Sequence, residues 1–178
     1  MTAVADASVL IWLAKVGRLY LLEQQYGSIL IPSEVYSEVV EEGLKEGYAD
    51  ALVVRDAFEK GWIKVEAAPT EQTGRIMRGL PELHEGEAAA MSLAIDRRAP
   101  LLIDESSGRV IATALGLRPR GAIHVLFKAA YNGSLSTVEA RDTISSMVSA
   151  GFRIEPKLLE RVLRELSDHV PRKRLSNP

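Results

Sequence analysis

The chain has 178 residues, 47% hydrophobic and 26% charged, with 22 Lys+Arg against 24 Asp+Glu and a formal net charge of −2. It is long enough for one sizeable core and too apolar for wholesale disorder, and its charge argues against a broad basic surface gripping duplex nucleic acid. There is no cysteine, and the three histidines (His84, His124, His169) do not pair at metal-ligand spacing, so a bound metal must rely largely on oxygen.

Short apolar runs alternate with helix-length periodic stretches. Residues 3–5 predict a brief strand ending in Asp6, and Val9, Leu10, Leu13 and Val16 recur at helical spacing until Gly17. A short helix over 19–25 and a strand over 28–31 follow. Pro32 is placed to open the next helix, which carries Val35, Val39 and Val40 and fades near Gly43 or Gly47. A helix over 49–60 leads to a strand at 62–65. The Ala-rich stretch 85–97 predicts a helix and 100–103 a strand ending in Asp104. Helices are then expected at 108–115, 123–131, 137–149 and 156–166. Such alternation implies parallel βαβ units, hence a three-layer α/β/α sandwich with a small parallel sheet and more helix than strand. One domain over 1–166 is expected, followed by a polar, frayed tail, 167–178, with Arg172, Lys173 and Arg174. No apolar run approaches the ~18 residues of a membrane span and no signal peptide opens the chain, so a cytoplasmic protein with no membrane contact is expected.

In an open parallel sheet, ligands gather beyond the carboxyl ends of the strands. Asp6 and Asp104 both fall there. Each can equally cap the helix that follows. Glu87 shares a helix face with Ala90, Met91 and Ala94, so it extends an inward stripe, although an acid in a first helical turn is also favoured by the dipole. Glu38 borders the Val35/Val39 stripe and on periodicity alone reads as an ordinary surface acid.

The order of these residues resembles that of PIN-domain nucleases. Val4-Ala5-Asp6-Ala7-Ser8-Val9-Leu10-Ile11, Gly17 with Leu19, and Ile31-Pro32 with Val35 and Glu38 match the family's opening. Gly86-Glu87-Ala88-Ala89-Ala90, Leu101-Leu102-Ile103-Asp104-Glu105 and Gly108-Arg109 continue the match. The chain looks most like a PIN-like branch related to VapC-type toxins, in which Asp-Glu leads shortly to Gly-Arg. The resemblance implies a PIN fold with an acidic metal site, its four acids mapping to Asp6, Glu38, Glu87 and Asp104, and the hydroxyl after the first acid to Ser8. Glu87 departs from the Asp frequent in the toxins. Its longer arm moves the carboxylate out by roughly 1.5 Å, one carbon–carbon bond, so it acts on a metal directly or through water.

Elementary electrostatics agrees with that implication. Two unit charges ~4 Å apart repel by about 4 kcal/mol at an effective dielectric of ~20, so clustered carboxylates must protonate, splay or take up a cation. Oxygen-only ligands favour Mg2+ or Mn2+, ions able to activate water and stabilise charge developing on a phosphate. The expectation is a metal-dependent endoribonuclease in which Asp6, Asp104 and Glu87 hold metal and Glu38 orients metal or water. Arg109 either binds a substrate phosphate or pairs with Glu105; Ser8 either bonds a metal-bound water or caps its helix. Glu85 points away from Glu87, His84 reads as a loop or cap residue, and Trp12 and Trp62 as core or interface aromatics. The expected partners are RNA, a second copy forming a homodimer through 123–131 and the Trp12/Tyr20 region, and, for a toxin-type enzyme, a protein antitoxin. Two rivals stand beside this reading: a PIN-like module that binds RNA or protein without cutting, and a phosphatase-like hydrolase with Asp6 as nucleophile. The second lacks an acid two residues after Asp6.

Overall fold

Four short runs rich in Val, Ile, Leu and Ala form strands in the computed structural model, which describes residues 2–80 and 82–168. They are β1 (Thr2–Ala5), β2 (Ser28–Ile31), β3 (Ile63–Val65) and β4 (Leu101–Leu102). All pair in parallel, in the order β3-β2-β1-β4, with Val4 opposite Leu30 on one side and Leu101 on the other. Parallel strands need covered faces, which explains why the central runs are apolar instead of alternating. Ala3, Val4, Ala5, Ile29, Ile31, Leu101 and Leu102 are fully buried, so both faces are closed to solvent over β1, β2 and β4, whereas Lys64 and Val65 of the edge strand β3 are exposed.

The intervening segments are helical: α1 (Ala7–Lys15), α2 (Tyr20–Tyr26), α3 (Ser33–Tyr36), α4 (Gly43–Lys45), α5 (Ala49–Glu59), α6 (Thr70–Gly79), α7 (Glu85–Arg97) and α8 (Ser106–Ala114). On one sheet face, Val4, Leu30 and Leu101 pack with Ala90, Met91, Leu93 and Ala94 of α7. Every α7 residue from Gly86 to Ala94 is buried, and its small side chains let the helix sit close to the sheet. The α/β architecture expected from the alternation is therefore present.

The chain divides into two compact units, 1–122 and 123–178. The first holds the sheet and α1–α8. The second is helical, with most of α9 (Ala122–Tyr131), then α10 (Thr137–Ser149) and α11 (Pro156–Asp168). Ser136 and Glu139 form a reciprocal cap that starts α10, each accepting a hydrogen bond from the other's backbone N–H. Helix α11 runs through Asp168, two residues further than expected, and Ser167 donates to Leu163 O inside it. Arg172, Lys173, Arg174 and His169 lie outside the described residues. No helix among the described residues is long and apolar enough to cross a membrane.

Helix α6 is not expected from the sequence. It contains Gly74 and Gly79 and buries only Thr73 and Ile76, too sparse an apolar pattern to announce a helix. It is also anchored by polar bonds on one carbonyl: Thr73 and, from α7, Ser92 both donate to Pro69 O.

Candidate active site

The crevice of an open sheet opens where crossovers leave in opposite directions, here between β1 and β4. Asp6 follows β1 directly and is 3% exposed. Its backbone N–H donates to Leu102 O, fastening the end of β1 to β4. Its carboxylate accepts from Ser8 N at 3.1 Å and Ser8 Oγ at 2.7 Å, so Asp6 caps α1 while facing the crevice. Ser8 Oγ in turn accepts from Asp104 N at 3.0 Å, joining the two strand ends through one hydroxyl. Burial pushes the Asp6 carboxyl up, against the two Ser8 hydrogen bonds that favour its charge.

Asp104 is tied to Asp6 by that bridge, but its carboxylate turns the other way. Both oxygens accept from Ala122 N, at 3.0 and 3.2 Å. Gly121 makes this possible, because a Cβ there would collide with Asp104 Oδ1. Arg109 donates to Ile103 O at 2.9 Å and makes no ion pair with Glu105; its charge acts on Asp104. Burial nonetheless pushes Asp104 up to about 7, outweighing the Ala122 N–H and the Arg109 guanidinium.

Glu87 is buried in the first turn of α7, on the inward face read from the sequence. Its Oε2 accepts from His84 N at 3.1 Å, so the capping role and the inward position coexist. Its Oε1 lies beside Gly108, where a Cβ would approach to 2.8 Å. Glu38 arrives by a less regular route. Helices α3 and α4 are joined by a π-helical segment, Ser37–Glu42, whose widened turn carries Glu38, and such segments recur at functional sites. Its Oε2 reaches toward Gly86, 3.4 Å from where a Cβ would stand. Burial first, and the charge of Asp6 next, push Glu38 up; burial and then the Asp6 and Glu105 charges push Glu87 up against its His84 N–H bond.

Asp6, Ser8, Glu38, His84, Glu87 and Glu105 line one cleft of about 330 Å³, together with Glu82 and Ser107. The Asp104 carboxylate borders this cleft without lining it. Glu82, His84, Glu105 and Ser107 are the polar residues of the cleft that sequence reasoning left out of the site. Glu105 follows a strand-end acid just before α8, and its charge reaches both Asp6 and Glu87. His84 immediately precedes α7, and its charge opposes the upward shifts of Glu38 and Glu87.

The PIN-domain family model (DUF3368) matches residues 2–168. The chain belongs to the PIN-domain family. Its fold is similar to that of a PilT N-terminus domain protein from the hyperthermophilic archaeon Sulfolobus solfataricus P2, with a TM-score of 0.50 and 18% sequence identity, over 72% of this chain and 93% of the other. No curated protein matches the chain in sequence.

PIN domains are generally nucleases and typically use divalent metals. Among the described residues of this PIN domain, no three His, Asp or Glu side chains converge tightly enough to hold a metal ion as they stand. The donor chemistry nevertheless fits a hard divalent cation. The cleft gathers oxygen ligands, three of its carboxyls are pushed up by burial and mutual repulsion, and Glu38, Glu87 and Glu105 have the longer side chains that can turn toward a cation.

Proposed function

We propose that this PIN domain is an Mg2+- or Mn2+-dependent endoribonuclease that hydrolyses phosphodiester bonds of single-stranded or structured RNA. The observation that carries this reading is the Ser8 bridge, which fastens the Asp6 carboxylate to the Asp104 backbone on adjacent parallel strands beside the inward Glu87. Asp6 and Glu87 would hold the cation from the cleft, and Asp104 would join them by turning one oxygen away from Ala122 N; the cation would supply Lewis-acid stabilisation of charge on the phosphate. Glu38 orients metal or water from its π-helical segment. Ser8 holds Asp6 in place, and the buried walls around Asp6 and Glu87 keep bulk water from screening the site. Arg109 holds the Ile103–Asp104 corner and sets the field around Asp104.

Cleavage of total cellular RNA with Mg2+ or Mn2+ supplied tests the reading. Asp6→Asn and Asp104→Asn should each abolish cutting, and wild-type rates in both variants would refute it. In the toxin-type form of this reading the protein acts in the cytoplasm as a homodimer and is held inactive by an antitoxin, one that inserts an Arg into the acidic cleft. Co-purification with a protein encoded by the neighbouring gene checks that form.

A second reading, a module that binds RNA or protein without cutting, is favoured by one observation: Glu87 already spends one carboxylate oxygen on the His84 N–H, and no compact ligand group is preformed among the described residues. Such a module would give no cleavage and no stabilisation by either cation.

A further inference from the structure

The opposite edge of the sheet carries a second, chemically contrasting groove. It is about 690 Å³ in volume and runs from the amino ends of β1 and β2, at Thr2 and Ser28, across Leu30 and Lys64 to Glu66 just past β3. Asp6 lies at the carboxyl end of β1, so about 13 Å of strand separates it from the Thr2 rim of the groove, four residues at roughly 3.3 Å each, and none of the groove's residues lines the acidic cleft. Lys64 of β3 and Arg97 and Arg98 at the end of α7 bring three cations to this groove against one carboxylate, Glu66. In a chain of net charge −2 that is a local reversal of sign. Arg97 is paired with Glu66 and with Asp96 outside the groove, whereas Lys64 and Arg98 make no side-chain hydrogen bond or ion pair among the described residues and are exposed. Between the strand starts, the Thr2 and Ser28 hydroxyls are hydrogen-bonded at 3.1 Å, which leaves one of the two protons to donate to an anion.

The backbone at Arg98 gives an independent indication. It closes α7 with φ of 50°, in the left-handed region. The seven other positive-φ positions among the described residues are all glycine. Here alone a long cationic side chain occupies a conformation that glycine adopts without strain, and strain retained against an available alternative points to function. A cation also complements the helix C-terminus, but Arg97 in the last turn and pairing to Glu66 already supplies one.

We infer that this groove binds the phosphodiester backbone of single-stranded RNA, with Lys64 and Arg98 contacting phosphates and the hydrogen-bonded Thr2–Ser28 hydroxyl pair giving them its one free proton. The site rests on the nuclease reading only for its choice of RNA; its geometry is separate from the acidic cleft. A strand held there is anchored on one edge of the sheet while a more distant segment reaches the other.

The test is binding of a fluorescein-labelled 20-mer of uridine, read by anisotropy over a salt series in EDTA, so that cleavage plays no part. Arg98→Gly removes the charge and relieves the strained backbone, so its melting temperature should equal or exceed that of the wild type and misfolding cannot explain a loss. Each of Arg98→Gly and Lys64→Gln should weaken binding, the double variant by about tenfold, and the slope of log K against log salt should fall by about 0.7 for each phosphate that is no longer neutralised. Arg75→Gln, at an exposed cation of α6 that is paired with Glu71 and lines neither the groove nor the cleft, should bind like the wild type. Wild-type affinity and slope in the double variant would overturn the proposal. So would displacement of the labelled RNA by polyglutamate at lower concentration than by unlabelled RNA, which would make the groove a site for an acidic protein. Failure of the nuclease reading would appear separately, as absence of cleavage with metal present and binding intact.

Discussion

The Ser8 hydroxyl and the Asp104 backbone N–H are joined by a 3.0 Å hydrogen bond that spans from the first turn of α1 to the segment just after β4. The same hydroxyl donates to Asp6 Oδ2 at 2.7 Å, so one oxygen fixes the spacing of both strand-end acids. Ser8→Ala removes the donor to a buried carboxylate and leaves the Asp104 N–H without its partner. A loss of about 1–3 kcal/mol is expected in denaturant unfolding. RNA cleavage should fall with it, and Ser8→Thr, which keeps the hydroxyl, should restore most of both. Full stability and activity in Ser8→Ala would show that the bridge does not organise the site.

Gly108 lies directly against Glu87. A Cβ added there would stand 2.6 Å from Ile103 Cδ1 and 2.8 Å from Glu87 Oε1, so Gly108→Ala must displace a core side chain and a candidate ligand together. It should cost about 1–3 kcal/mol by overpacking and reduce cleavage more than stability alone accounts for. Gly79→Ala at the end of α6, where nothing lies within 4 Å, is the control; it should be neutral or slightly stabilising. Equal effects of the two in thermal melting would remove the steric assignment.

The sequence announces those parts of the site that depend on local pattern. Asp6 and Asp104 stand where apolar runs stop, and Glu87 interrupts an Ala-rich face that has to be buried. What it withholds depends on irregular backbone and on long-range approach. The π-helical turn that presents Glu38 has no periodicity of its own, and the turning of the Asp104 carboxylate is decided by the missing Cβ of Gly121. Glu105 reads from the sequence only as a partner for Arg109, yet that guanidinium goes to Ile103 O and leaves Glu105 facing the cleft. Helix α6 escapes notice because its two glycines and few buried residues leave a sparse apolar pattern, Ile76 and Met77 packing on the core while polar bonds to Pro69 O tie it further.

Stability should fall as pH rises through the weakly acidic range. Asp104 is pushed from 3.8 up to about 7 in the folded protein, so the folded state holds this proton more tightly than the unfolded chain. Its contribution is present below about 4 and is lost progressively toward 7; Asp6, Glu38 and Glu87, also pushed up, act in the same direction. In metal-free buffer, Asp104→Asn should flatten the decline between roughly pH 4 and 7 and exceed the wild type at pH 8 by a few kcal/mol. Its amide oxygen can still accept from Ala122 N. Urea unfolding of the two proteins over this range is the measurement, and parallel pH profiles would disprove the assignment to Asp104.

Divalent cations should reverse that trend. The carboxyls that repel one another in the folded protein are the ones a cation can use, and they must lose their protons to bind it. Mn2+ or Mg2+ should therefore raise the melting temperature strongly at pH 8 and little at pH 5. The gain should grow by about 1.4 kcal/mol for each tenfold of free metal above its Kd. Asp6→Asn should lose most of this stabilisation, because the buried strand-end carboxylate faces the cleft and its loss removes a ligand. Glu85→Gln serves as the control: Glu85 is an exposed acid in the same first turn of α7 as Glu87, so it tests for a nonspecific effect of charge. Stabilisation that is equal in wild type and Asp6→Asn, or absent at pH 8 with millimolar Mn2+, would mean that the acidic cleft is not a metal site and would leave the binding-only reading in its place.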